Sequence, residues 1–320
     1  MKNLSQYLLH FLFIVLILLP TKGFADNVAP GAASGFSATI VNGKVLLKFK
    51  ESSASDLDGY LVLRKQEVGY AAPALINGVD YKVATKFIVD TPWEQWEVVS
   101  NDNNRNEQLL LDDGSFTYLV YMRDKSKNYS QPSRIVVNNY DKWTDNDLAV
   151  NLLVVTGGTL HINGNRKLTF LNDGALAGFG GALSNNGLIQ VTKRIQVPVG
   201  VAMFNAGGTI EVKAGGELTV EGSFKSLYQS NVVSVEKSGK LVVAAGGSYI
   251  LDQGRLVLKS GATMLVSGMV EWLPNSGGIS NEGASLSFTA GSRFNLRTNV
   301  RFPQATWQEG STFAYYGDWY

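Results

Sequence analysis

Between residues 207 and 224 the chain reads GGTIEVKAGGELTVEGSF, five glycines in eighteen positions with apolar residues alternating between them. The unit is glycine, a spacer or two, then apolar-x-apolar. It returns as GGTLHI, GLIQV, GKLVV, GGSYIL, GRLVL, GASLSF and GSRFNL between residues 157 and 296. Neighbouring glycines stand eight apart at Gly208 and Gly216, at Gly239 and Gly247, and at Gly283 and Gly291. A longer interval of 31 separates Gly208 from Gly239 and Gly216 from Gly247. Internal repetition on this scale marks a solenoid, because one unit cannot bury its apolar side chains without a stacked neighbour.

Short strands joined by glycine turns predict a parallel β-helix over residues 150–320, with rungs of roughly 20 to 30 residues. The region resembles the right-handed β-helix stretches of bacterial surface and secreted proteins, on periodicity rather than on a signature. An antiparallel sandwich or roll is the rival arrangement, and the doubled 31-residue interval favours the solenoid. Ile210, Val212, Leu218 and Val220 then face the core. A phosphate cradle is excluded. After Gly216 comes ELTVEGSF, which alternates like a strand and offers no helix N-terminus to an anion.

Residues 30–137 follow a different pattern. FSATIV, Asn42-Gly43 and KVLLKFK read as a hairpin. GYLVLRK, YKVATKFIV, EQLLL and FTYLVYMRD continue as short strands between turn residues. About seven strands in about 110 residues fit an immunoglobulin-like sandwich. The stretches APGAASGFSATIVNGKVLLKFKESSASDLDGYLVLRK and LLLDDGSFTYLVYMRDKSKNYSQPSRIVV resemble a bacterial fibronectin type III domain. Tyr118, Val120 and Met122 fit that family's Tyr-x-Val-x-small pattern, and Asp124 to Ser130 its polar turn. The resemblance implies a tyrosine-corner role for Tyr118 and a spacer or binding module over residues 28–138. Phe49 stands where the family usually has tryptophan, and residues 66–106 are a longer middle segment than usual. Residues 139–149, polar and without alternation, read as a linker, with Trp143 packing on a neighbouring domain. The expected fold class is all-β, a sandwich followed by a parallel solenoid.

Lys2, the apolar run Leu8 to Leu19 broken only by His10, and the small residues Gly23 and Ala25 read as a secretory signal over residues 1–25, cleaved after Ala25. A run of about 12 apolar residues falls short of the roughly 20 that span a bilayer, and no later stretch approaches that length. The net charge is +1, and loss of Lys2 and Lys22 turns 28 basic residues into 26 against 27 acidic, about −1. That balance points to neither nucleic acid nor an anionic membrane surface. Cysteine is absent, which removes thiol catalysis, cysteine metal sites and a lipoprotein anchor. An exported chain without cysteine suits a bacterial envelope or secreted protein.

His161 is the one histidine left after cleavage, and its alternation with Leu160 and Ile162 puts it on the solvent face of a strand. Glu211, Glu217 and Glu221 point outward in the same way beside Lys213 and Lys225, a solvated ion-pair ladder rather than a catalytic carboxylate pair. SDLDGY at residues 55–60 lacks the ligands of a calcium loop. No catalytic residue, metal-ligand set or cofactor is assigned. The ligand-binding candidates are Trp93 and Trp96 in DTPWEQWEVV, whose rings, if exposed, stack on sugars. The alternative is a pair packed over the sandwich edge or against the second domain. The aromatic tail TFAYYGDWY covers the last rung, docks on a partner, or leads into further chain.

The functional expectation is a non-enzymatic surface or extracellular protein for adhesion, or for binding a glycan or a surface protein. A polysaccharide-degrading lyase or hydrolase and a structural stalk are the alternatives. Acids, arginines and lysines converging within hydrogen-bond reach in a concave cleft would favour the enzyme, and a flat, evenly charged solenoid the stalk.

Overall fold

The computed structural model describes residues 28–41, 44–66, 71–89, 95–102, 109–111, 115–178 and 180–316, and every regular element among them is a β-strand. The signal segment, Trp93 and the last four residues of the aromatic tail lie outside the described residues. Among the described residues no helix is long and apolar enough to cross a membrane.

The N-terminal region holds two antiparallel layers. Ser34–Val41, Lys44–Lys50 and Leu109–Leu111 form the smaller. Lys86–Ile88, Gln95–Asp102, Leu57–Gln66, Phe116–Asp124 and Ser133–Asn138 lie side by side in the larger. Alternation sorts the side chains. Tyr60, Val62, Tyr118, Val120 and Met122 share one core with Phe36, Val45 and Leu47 of the smaller layer, and Phe49 meets Tyr60 edge-on at 5.5 Å. Leu61, Leu63, Leu119 and Tyr121 face the opposite way and pack under the segment 71–89. With both faces covered, the strands must be apolar almost throughout, as YLVL and TYLVYM are. The long middle segment is the second cover.

No tether joins this region to the repeats. Ser133–Asn138 pairs in parallel with Leu148–Val155, Ile135 opposite Leu152, so the larger layer runs on as one twelve-stranded sheet. Leu152 and Val154 belong to the N-terminal core. Residues 139–149, polar enough to read as a linker, hold the strand Lys142–Thr144 and the start of Leu148–Val155.

The repeats form a three-sided parallel β-solenoid of about seven turns. The chain runs through Thr209–Val212 on side one, Glu217–Val220 on side two and Ser223–Ser226 on side three, then returns to side one at Val232–Val235. Thr209 pairs with Val232, Glu217 with Lys240 and Lys240 with Thr263, so a turn here is 23 residues. The 31-residue interval is therefore one turn plus the eight residues between successive corners. Gly208 opens side one and Gly239 side two, and the true counterpart of Gly239 is Gly216. Ile210, Val212, Leu218 and Val220 are fully buried and stack on Val233, Val235, Leu241 and Val243, each worth about 1.5–3 kcal/mol relative to exposure. This parallel pairing excludes the antiparallel roll.

The two glycines of a corner serve different ends. Gly215 has φ +74° and open space around it, whereas a Cβ on Gly216 would lie 2.2 Å from the Val191 carbonyl oxygen of the turn below. One turn on, Ser238 takes the left-handed position at φ 63°, and a Cβ on Gly239 would stand 2.8 Å from Val212 O. A turn later the second position is Ala262, so the corner opens as the solenoid proceeds. Buried asparagines bind the corners into side one: Asn185 Nδ2 donates to Asn205 Oδ1 at 2.9 Å and Asn205 Nδ2 to Val232 O at 3.2 Å. At the far end Trp307 stacks on Phe288 at 4.1 Å and Phe313 on Phe294 at 5.8 Å, so aromatic rings close the last described turns.

Candidate binding site

Trp96, one of the two sequence candidates, is fully buried in the N-terminal region. Its Nε1 donates to Ala71 O at 3.0 Å, and Leu61, Val98 and the segment 71–89 enclose the ring. No face is left for a sugar. The cause is the long middle segment, which folds over the strand that carries Trp96 and turns an expected edge into a second core.

Among the described residues the exposed tryptophan is Trp143, on side three. Thr144 is buried on one face of its strand, which turns Trp143 to the other. Its ring lies flat on that of His161, centroids 4.3 Å apart and planes 10° apart, because register sets His161 directly opposite it in the next turn. The ring is 51% exposed. Lys142–Thr144 is the edge strand of its sheet, so among the described residues no strand of that sheet covers the other face. The neighbouring-domain contact expected of Trp143 is made through this histidine of the repeats. Ser184 and Phe204 continue the same outward row on the following turns.

His161 is outward-facing, as its alternation predicts, and half-buried beneath the indole. Burial lowers its pKa below the usual 6.5, while the Asp141 carboxylate acts in the opposite sense. Its Nδ1 meets no hydrogen-bond partner among the described residues. Backbone bonds hold the edge strand in place: Asp141 Oδ1 accepts Thr159 N at 2.7 Å, and Asp147 Oδ1 accepts Lys167 N at 2.9 Å.

Around the corner, on side one, lies a cleft of about 460 Å³ lined by Asp147, Arg166, Lys167, Leu188, Thr209 and Glu211. Glu211 is held by Lys213 Nζ at 2.7 Å and Gln190 Nε2 at 2.8 Å, and the Lys213 ammonium keeps its carboxyl below the ordinary carboxylate range. Of the expected ion-pair ladder, Glu211 and Lys213 pair as anticipated, while Glu217 pairs instead with Arg194 at 3.3 Å and Lys225 with Asp252 at 2.8 Å. Arg166 and Lys167 form no ion pair among the described residues, so the acids and bases of this cleft do not converge into one hydrogen-bonded set. A larger cavity of about 710 Å³ between residues 279–286 and 301–306 has a single charged side chain, Arg301, in its lining.

Among the described residues no group of three or more histidines and carboxylates could hold a metal. Asp58, the second aspartate of the segment weighed as a calcium loop, accepts a hydrogen bond from Lys127 at 2.7 Å and pairs with Arg123 at 3.0 Å. Burial is the largest single influence on its pKa and raises it, but Lys127 and Arg123 together outweigh burial and hold the carboxyl below its ordinary value.

No family model matches the chain, and no curated protein does. Among solved structures it is similar to pectate lyase PelI from Erwinia chrysanthemi in complex with tetragalacturonic acid, at 11% identity over 86% of this chain and 88% of that one, with a TM-score of 0.22. It is similar also to pectate lyase Pel3 from Pectobacterium carotovorum, at 10% identity over 86% and 88%, with a TM-score of 0.20. The solenoid is established by its own strand register, independently of these likenesses.

Proposed function

We propose that this is an exported, non-enzymatic bacterial protein, secreted or held at the cell surface, that binds carbohydrate through the outward face of its solenoid. In this reading the N-terminal layers are a fibronectin type III-like support, and the repeats a right-handed β-helix that presents the site. The observation that carries it is Trp143, half-exposed on a flat sheet edge and fixed by stacking on His161. A rigid indole with one open face matches the apolar face of a sugar ring at little cost in side-chain entropy. A glycan array probed with the exported form is the test. Binding that Trp143→Ala abolishes, and that Tyr228→Ala on another exposed ring leaves intact, is the expected result. Binding to no glycan returns the protein to a surface-protein partner or a stalk.

The second reading is a polysaccharide-degrading enzyme, and the charged cleft on side one is what favours it. Against it, Glu211 is held ionised by Lys213 and is therefore no general acid at neutral pH. Incubation with polysaccharides and assay for new chain ends separates the two readings. Cleavage lost in Glu211→Gln would replace the binding reading with the enzymatic one.

A further inference from the structure

We propose that the saccharide carries an anionic group, a carboxylate or a sulfate, and that Arg166 and Lys167 in the side-one cleft receive it. The inference rests on the carbohydrate reading above and deepens it. The lining sets Arg166 and Lys167 against the carboxylates of Asp147 and Glu211, and Lys213, bonded to Glu211 at 2.7 Å just outside it, adds a third cation. Asp147 in turn has one oxygen occupied by Lys167 N. Three cations against two carboxylates leave one positive charge in excess, and neither Arg166 nor Lys167 is tied up in an ion pair among the described residues. The planar fork of Arg166 suits a two-oxygen anion, and the ammonium of Lys167 adds a point charge. The free oxygen of Asp147 accepts a hydroxyl, the other group a sugar supplies in number.

The scaffold beneath is stiff. A Cβ on Gly187 would lie 2.2 Å from Arg166 O and 2.4 Å from Asn163 O, and Leu188 N donates to Arg166 O at 2.9 Å. The backbone bearing both cations is thus packed against the next turn, which reduces the ordering cost of binding. The cleft is also continuous in the fold with the stacking site. His161 and Arg166 flank one corner, and Trp143 and Asp147 flank the same corner one turn earlier. A sugar chain seated on Trp143 at side three meets the cations as it passes to side one.

The test uses three oligosaccharides of equal length, one neutral, one containing uronate and one sulfated, titrated calorimetrically into the protein at low and high salt. An acidic ligand is expected to bind about tenfold or more tightly than the neutral one, with the preference shrinking at high salt. The double variant Arg166→Gln, Lys167→Gln removes the preference and leaves neutral binding unchanged, whereas Trp143→Ala weakens all three. Preference for uronate alone or sulfate alone names the source of the anion, and both support the inference. Equal affinity for neutral and acidic ligands overturns it and leaves the carbohydrate reading standing. So does a double variant that loses neutral binding equally while its melting temperature is unchanged. Failure of all three to bind, with a blank glycan array, sinks both.

Discussion

Trp143 and His161 lie ring on ring, 4.3 Å apart, on successive turns of one sheet. The pair turns a titratable group into a reporter of its neighbour. Burial lowers the pKa of His161 below 6.5 in the folded state. Because the folded value lies below the unfolded one, the site's contribution to stability is complete above about pH 6.5 and is lost as pH falls through the folded value. The imidazolium quenches an indole stacked on it, so Trp143 fluorescence is expected to fall with a midpoint below 6.5, and His161→Gln to remove that transition. A midpoint at or above 6.5 would show that burial does not govern this histidine.

Trp96 and Trp143 separate stability from binding. Trp96→Ala empties a fully buried site and removes the bond to Ala71 O, at an expected cost of about 3–5 kcal/mol. Trp143→Ala, at a half-exposed position, is expected to change chemical-denaturation midpoints little and glycan binding greatly.

Adjacent glycines are expected to respond differently to the same substitution. Gly215→Ala meets open space and bears only the left-handed φ, about 1–2 kcal/mol, and Gly215→Ser follows the serine already at position 238. Gly216→Ala drives a methyl onto the Val191 carbonyl and forces two turns apart. Thermal melts of the two alanine variants would contradict this account of the corners if Gly215→Ala were the more damaging.

Asn205 links three turns, accepting from Asn185 and donating to Val232 O. Asn205→Leu keeps the volume and leaves the buried Asn185 amide without its Asn205 acceptor, a loss of about 1–3 kcal/mol in urea unfolding. An unchanged midpoint would mean that the asparagine row is dispensable.

How much of this the sequence discloses depends on what each pattern encodes. Alternation at Ile210, Val212, Leu218 and Val220 reports burial directly, so the parallel solenoid and its inward residues are legible. The turn length is not, because glycines punctuate all three sides and Gly208 and Gly239 resemble each other without being equivalent. Register is visible only once the sides are told apart. KWT at residues 142–144 is too short to alternate convincingly, so an edge strand reads as a linker, although Trp143 packs as expected, on His161. The one available signal is the recurrence of short strand and polar corner, KWTDND at residues 142–147 and TLHINGN at residues 159–165. Trp96 reads in sequence as either an open or a packed ring, because no local pattern says that the segment 71–89 folds back over it.

The central claim is that the open ring of Trp143 carries the ligand, and the indole resonances of the chain's six tryptophans test it most directly. With the Trp143 signal assigned through Trp143→Phe, a glycan taken from the array is titrated into isotope-labelled protein. The account predicts a saturable shift of the Trp143 indole while that of Trp96 stays fixed. A ligand that saturates the protein and leaves Trp143 unmoved would contradict it.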